Sequence, residues 1–164
     1  VFCAWHWGIS MQAAAWCVQQ NVNLEEALLW TDSSTHNFGG DKSFTAWSTR
    51  AQVLNKLGRN AESAAVMKQA LPFGTMNEVH QYGRQLLNLK YYKEAFEVFK
   101  GNYEKYPGQF TTLMGMTRGY SAMGDYKNAL KYANMALPLA PDNNNKNSVL
   151  TIIDKLKAGK DGNN

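Results

Sequence analysis

The side chains best suited to chemistry are few and poorly spaced for it. Cys3 and His6 stand as Cys-x-x-His, the spacing of half a zinc site, but zinc asks for four ligands and no second pair follows. His36 and His80 lie far along the chain from His6. Glu25 and Glu26 are adjacent, so on a helix they point to different sides. A solvated first turn, favoured by the helix dipole, explains them better than an acid pair. Serine and aspartate occur without a strand–turn–helix to present a nucleophile, and no glycine-rich phosphate loop is written anywhere. The patterns imply no enzyme, no metal and no cofactor, and leave binding as the function to look for.

The elements that would position a binding surface are helices. Residues 110–143 carry Leu113, Met116, Thr117 and Tyr120 on one helical stripe, break at Gly124-Asp125, and resume with Tyr126, Ala129, Leu130, Ala133, Ala136 and Leu137 before Pro138 and Pro141. This predicts an amphipathic helix, a tight turn and a second amphipathic helix. Two such helices approach closely only where a side chain is nearly absent, which Ala129 and Ala136 provide. The pattern resembles a tetratricopeptide repeat (TPR), with Leu113, Thr117, Tyr120, Gly124, Ala129, Ala133, Ala136 and Pro141 in the family's roles.

Further copies follow the same register. The third repeat has Val79, Gly83 and Leu86, a turn at Leu89-Lys90, then Ala95, Phe99 and Pro107. Ala95 and Ala129 are 34 residues apart, the TPR period. Asn102 stands where a small residue belongs and is expected to weaken that contact. The second repeat has Trp47, Ala51 and Leu54, a turn at Gly58-Arg59-Asn60, then Ser63, Met67, Ala70, Leu71 and Pro72. The first is degenerate: residues 9–20 and 24–34 read as helices around a polar turn, with Ala27 in the place of Ala129 and Ala15 in that of Thr117. It closes at Asn37-Phe38-Gly39-Gly40, a turn signal.

After a polar turn over 142–147, Val149, Ile152, Ile153 and Leu156 share one face of a helix that suits a solenoid cap. The expected organisation is an all-α TPR-like solenoid: an aromatic flank (1–7), repeats at 8–41, 42–75, 76–109 and 110–143, a C-terminal capping helix (144–158) and a frayed tail (159–164).

Bulk properties agree with a folded chain of 164 residues, 45% apolar and 18% charged. No apolar run reaches the length of a membrane helix. The net charge of +4 sits in the second half, where twelve Lys/Arg face seven Asp/Glu against five and six before residue 83. Those lysines (Lys90, Lys93, Lys100, Lys105, Lys127, Lys131) lie beside acidic neighbours without an aromatic-laced stripe, which fits a solvated surface better than a nucleic-acid site. Cys3 and Cys17 are too few for a disulfide framework. On one helix they would stand roughly 21 Å apart, beyond bridging, and Cys17 reads as a buried small hydrophobe. The start without Met reads as a piece of a longer protein, so its lack of a signal peptide says nothing of the parent. Phe2, Trp5 and Trp7 are too apolar for a free tail; they are expected to pack on the first repeat or on a preceding domain.

The wording AAAWCVQQNVNLEEALLWTD, FGGDKSFTAWSTRAQVLNKLGR, EVHQYGRQLL and TRGYSAMGDYKNALKYA resembles the C-terminal repeat region of a Bacteroidetes family of unknown function. The likeness runs from about Phe2 to Gly159. In that family a β-rich domain comes first, usually behind an export signal. The resemblance implies an extracytoplasmic bacterial protein and brings no activity with it.

A TPR array implies a groove lined by the first helix of each repeat. Removing the core positions leaves Gln12, Trp16 and Gln19 from the first repeat, and Thr45, Ser48, Thr49, Gln52 and Asn55 from the second. The third leaves Asn77, His80, Gln81, Arg84 and Asn88, and the fourth Thr111, Met114, Arg118 and Ser121. One column reads Trp16, Gln52, Arg84, Arg118. Amides suit a peptide backbone and arginines a carboxylate, although a solvated polar face has much the same composition. The carboxylate clamp of chaperone-binding TPR domains is excluded: its Lys-Asn, Asn and Lys-Arg positions hold Gln12 and Trp16, Thr49, then Asn77 and Gln81. One repeat on they hold Ser48 and Gln52, Gln81, then Thr111 and Gly115. The expected partner is a protein or peptide. The rival is packing against an upstream domain or a second copy, and the sequence does not fix the oligomeric state.

Overall fold

A computed structural model describes the backbone of residues 6–36 and 40–163, with side chains from residue 10 onward. Among the described residues the chain is all-helical: α1 (His6–Gln20), α2 (Leu24–His36), α3 (Phe44–Lys56), α4 (Asn60–Ala70), α5 (Met76–Asn88), α6 (Tyr92–Lys105), α7 (Phe110–Ala122), α8 (Tyr126–Ala136) and α9 (Asn143–Lys157). Helices pack in neighbouring pairs within two compact units, residues 1–74 and 75–164. The aromatic flank expected over 1–7 and the turn at 37–39 lie outside the described residues, except that His6 and Trp7 begin α1.

One turn recurs throughout. Asn21, Gly58, Lys90, Gly124 and Gly159 each take a left-handed backbone, with φ of 56°, 77°, 64°, 79° and 69°. In each case the next N–H donates to the carbonyl five residues back: Val22 to Cys17, Arg59 to Leu54, Tyr91 to Leu86, Asp125 to Tyr120 and Lys160 to Lys155. This satisfies the last helical carbonyls and fixes where the chain leaves each helix. Glycine adopts that backbone at little steric cost. Asn21 and Lys90 do so with a Cβ.

The second helix of each hairpin buries its fourth, eighth and eleventh residues. These are Ala27, Thr31 and Ser34 in α2, Ser63, Met67 and Ala70 in α4, Ala95, Phe99 and Asn102 in α6, and Ala129, Ala133 and Ala136 in α8. That spacing is one helical stripe. Substitutes for alanine bring hydrogen bonds with them. Ser63 Oγ donates to the Ala51 carbonyl of α3 at 2.8 Å, and Asn102 Nδ2 to the Met76 carbonyl of α5 at 2.9 Å. Asn102 therefore adds a polar tie between α6 and α5, where a weakened contact was expected.

In the first unit Ala14, Cys17 and Val18 of α1 pack with Ala27 and Val53, and Leu28, Trp30 and Leu57 close around them. Seven residues before the left-handed residue, the first helices bury Ala14, Ala51, Gly83 and Thr117. Ala14, and not Ala15, is thus the counterpart of Thr117: the degenerate first repeat was read one residue out of register.

In the second unit Leu113, Met114, Ala129, Ala133 and Ala136 form a core with Val149, Ile152, Ile153 and Leu156 of α9. Two sequence readings change at this end. The stretch 143–147 is helix, because Asp142 caps α9 by accepting from Asn145 N at 2.8 Å and from its Nδ2 at 2.8 Å. These bonds hold the Asp142 carboxyl below its ordinary range. The segment 159–163, expected to fray, is bonded back onto α7. Ser121 Oγ donates to Asp161 Oδ1 at 2.6 Å and accepts from Gly162 N at 2.8 Å, and Asn163 Nδ2 donates to the Arg118 carbonyl at 3.0 Å.

Candidate functional site

In the second unit α5, α7 and α9 line an open-sided cavity of about 260 Å³. Positions 34 apart come to the same level on α5 and α7, as Thr111 Oγ1 and Asn77 Oδ1 show at 3.5 Å. His80 and Met114, and Arg84 and Arg118, are likewise 34 residues apart in sequence. All six line the cavity, and Asn145 and Ser148 of α9 add polar groups to it. No aspartate or glutamate lines it.

Its electrostatics follow from that composition. Burial, then repulsion from Arg84, pushes the Arg118 guanidinium below its ordinary range, and Asp161 acts in the opposite sense. His80 is half-buried; burial, then Arg118, then Arg84 bring it down to about 4, so at neutral pH it is uncharged. Its ring lies 5.5 Å from that of Phe99 and against the bare Cα of Gly115, where an added Cβ would stand 3.4 Å from Nδ1. Nδ1 is buried and has no hydrogen-bond partner among the described residues. The cavity thus offers two guanidiniums, several amides and hydroxyls, and a neutral imidazole.

The other expected groove residues divide by burial. Gln12, Gln19, Gln52 and Asn55 are exposed in the first unit, as are Gln81 and Asn88 in the second; Gln81 lines the cavity and Asn88 does not. Trp16 is 56% exposed. Counting six residues back from each left-handed residue gives Ala15, Gln52, Arg84 and Arg118, so Trp16 leaves the expected column by the same one-residue slip. Thr49 is buried and bonds the Thr45 carbonyl at 2.9 Å, with half-buried Ser48 doing the same at 3.0 Å. Ser121, also buried, is occupied by residues 161 and 162. Met114 is 6% exposed and forms part of the cavity floor.

Asn145, Ser148, Phe110 and Val149 were missed as lining residues. The first two fall within the expected capping helix, which is given no part in the expected groove; Asp142 followed by a run of asparagine is the cap signal that starts it. Of the histidines, His36 lies in α2, where Nδ1 is 2.9 Å from the Asp32 carbonyl, and His80 in α5 of the other unit. The Cys3–His6 pair is outside the described side chains. Among the described residues no helix is long and apolar enough to cross a membrane. No protein-family model and no curated protein matches the chain.

Proposed function

We propose that this chain is a TPR-like interaction module without chemistry of its own, capped by α9, and that it binds an extended peptide or protein segment on the α5–α7–α9 face of its second unit. The observation that carries this reading is the pairing of Arg84 with Arg118, one repeat apart, in a cavity otherwise lined by amides, hydroxyls and apolar groups. Repeated turns and a repeated buried stripe support the family assignment. Amides able to meet a peptide backbone, and guanidiniums able to grip its acidic groups, support the binding role.

The test is selection of displayed random peptides on the chain, repeated with Arg84→Ala and Arg118→Ala. Enriched peptides should lose binding to both variants while the unfolding midpoints stay near that of the parent chain. An enrichment indifferent to both arginines would defeat the proposal.

A second reading has its own observation. In the first unit Trp16 is 56% and Leu29 71% exposed, which suits packing against another domain or another copy. Light scattering of the chain, alone and with the upstream domain that the Bacteroidetes resemblance implies, separates the two readings. A stable complex or a dimer would favour the second.

A further inference from the structure

The cavity's charge allows its ligand to be narrowed, an inference that rests on the peptide-binding reading above. Two arginines line a space to which no aspartate or glutamate contributes. One carboxylate, that of Asp161, offsets part of the Arg118 charge from outside the lining, where Ser121 and Asn163 N at 3.0 Å and Nδ2 at 2.9 Å hold it. Nothing along the lining balances Arg84. Arg118 is half-buried and Arg84 exposed; their repulsion raises the cost of the Arg118 charge, and a bound anion relieves it. Arginine's planar fork suits oxyanions, each guanidinium offering two parallel N–H donors.

Size limits the occupant further. At about 260 Å³, the cavity falls below the roughly 300–1,000 Å³ of pockets that enclose drug-sized ligands. It has room for one inserted side chain. Beside the arginines, His80 contributes a buried Nδ1 without a hydrogen-bond partner among the described residues, and Asn77, Gln81, Thr111, Asn145 and Ser148 add to the lining groups that can pair with a main chain.

We propose that the cavity between α5, α7 and α9 is a specificity pocket for one acidic residue, aspartate or glutamate, within an extended peptide segment, its carboxylate held between Arg84 and Arg118.

Three peptides test this by titration of ¹⁵N-labelled chain: Ac-Ser-Ala-Glu-Ala-Ser-amide, its Gln counterpart, and the Gln peptide with a free C-terminal carboxylate. The glutamate peptide should bind about tenfold more tightly than the capped Gln peptide, as charge-assisted bonding predicts, and should shift the Nε resonances of both arginines. Arg84→Gln and Arg118→Gln should each erase that preference, while Lys131→Gln, outside the pocket, should leave it intact. Should Arg118→Gln fail to fold, raising salt on the unaltered chain decides instead: the glutamate peptide should weaken toward the Gln peptide, which itself should barely change. Equal binding of the two capped peptides would overturn the acidic pocket and leave the peptide-binding reading standing. Preference for the free C-terminus would replace the acidic side chain by a chain end. Binding of none of the three to folded chain would overturn both.

Discussion

Phe99 of α6 lies over the bare Cα of Gly115 in α7: a Cβ built there would stand 2.8 Å from ring atom Cδ1. On its other side the same ring, wholly buried, covers Gly83 of α5, where a Cβ would overlap it outright. One aromatic side chain thus sets the spacing of three helices. It also sets the spacing of the cavity, because Arg84 follows Gly83 directly and Arg118 lies one turn beyond Gly115.

Adding a methyl group at either glycine should therefore force the ring aside. Gly83→Ala and Gly115→Ala should each cost about 1–3 kcal/mol, the usual penalty of overpacking. Gly101, in the exposed middle of α6 with nothing within 4 Å of its added Cβ, should behave oppositely. Gly101→Ala should add about 0.5–1 kcal/mol through helix propensity. Urea unfolding followed by tyrosine near-ultraviolet circular dichroism reads this unit selectively. All eight tyrosines lie in residues 75–164 and all five tryptophans before residue 75.

The glycines also show how far the sequence was legible. Helix pairs, turns and the buried stripe could be read because each rests on local spacing: Ala27, Ser63, Ala95 and Ala129 announce themselves by period. Three things could not. The register of α1 slipped because Ala13, Ala14 and Ala15 are indistinguishable by type. Residues 143–147 read as a turn because the stabilising bond comes from the Asp142 side chain rather than from propensity. Ser121 passed for a groove residue because its partners, 161 and 162, lie about 40 residues on and belong to no repeat. The arginine pair was legible as a pair; that α9 closes a cavity over it was not, since that depends on tertiary packing.

Lys90 should be improvable. It holds φ at 64°, a backbone that costs a residue bearing a Cβ about 1–2 kcal/mol, and the equivalent places after α3 and α7 are glycine. Lys90→Gly should stabilise the second unit by about 1 kcal/mol, read as a higher urea midpoint at unchanged m-value, even after the entropy that glycine gains in the unfolded chain. Gly124→Ala should do the reverse by a similar amount.

Asn102 tests whether the polar tie between α6 and α5 stabilises the fold. Its Nδ2 holds the Met76 carbonyl at 2.9 Å while Oδ1 is buried without a hydrogen-bond partner among the described residues. Asn102→Ala should cost about 1 kcal/mol, the lost bond being partly offset by removal of the orphaned oxygen. Asn102→Asp should cost more, because a carboxylate would face a carbonyl in a buried place. Its ionisation is disfavoured in the folded state, so the deficit should deepen as pH rises from 4 to 7. A deficit independent of pH would mean that the site opens to water.

His80 should make the second unit sensitive to acid. Its pKa is about 4 in the folded protein against 6.5 ordinarily, through burial and the neighbouring Arg118 and Arg84. Between those values the unfolded chain binds a proton that the folded chain does not, so stability falls as pH drops from 6.5 toward 4. The loss attributable to this residue is at most about 3 kcal/mol. Carboxylates also titrate in this range, which makes the difference between two chains the informative quantity. His80→Gln keeps a side chain of similar reach and removes the titration. Its stability relative to the parent should therefore improve as the pH is lowered from 7 to 4.5, measured by the tyrosine signal in urea. Parallel curves for the two chains would show that water reaches the imidazole freely and that burial does not govern its charge.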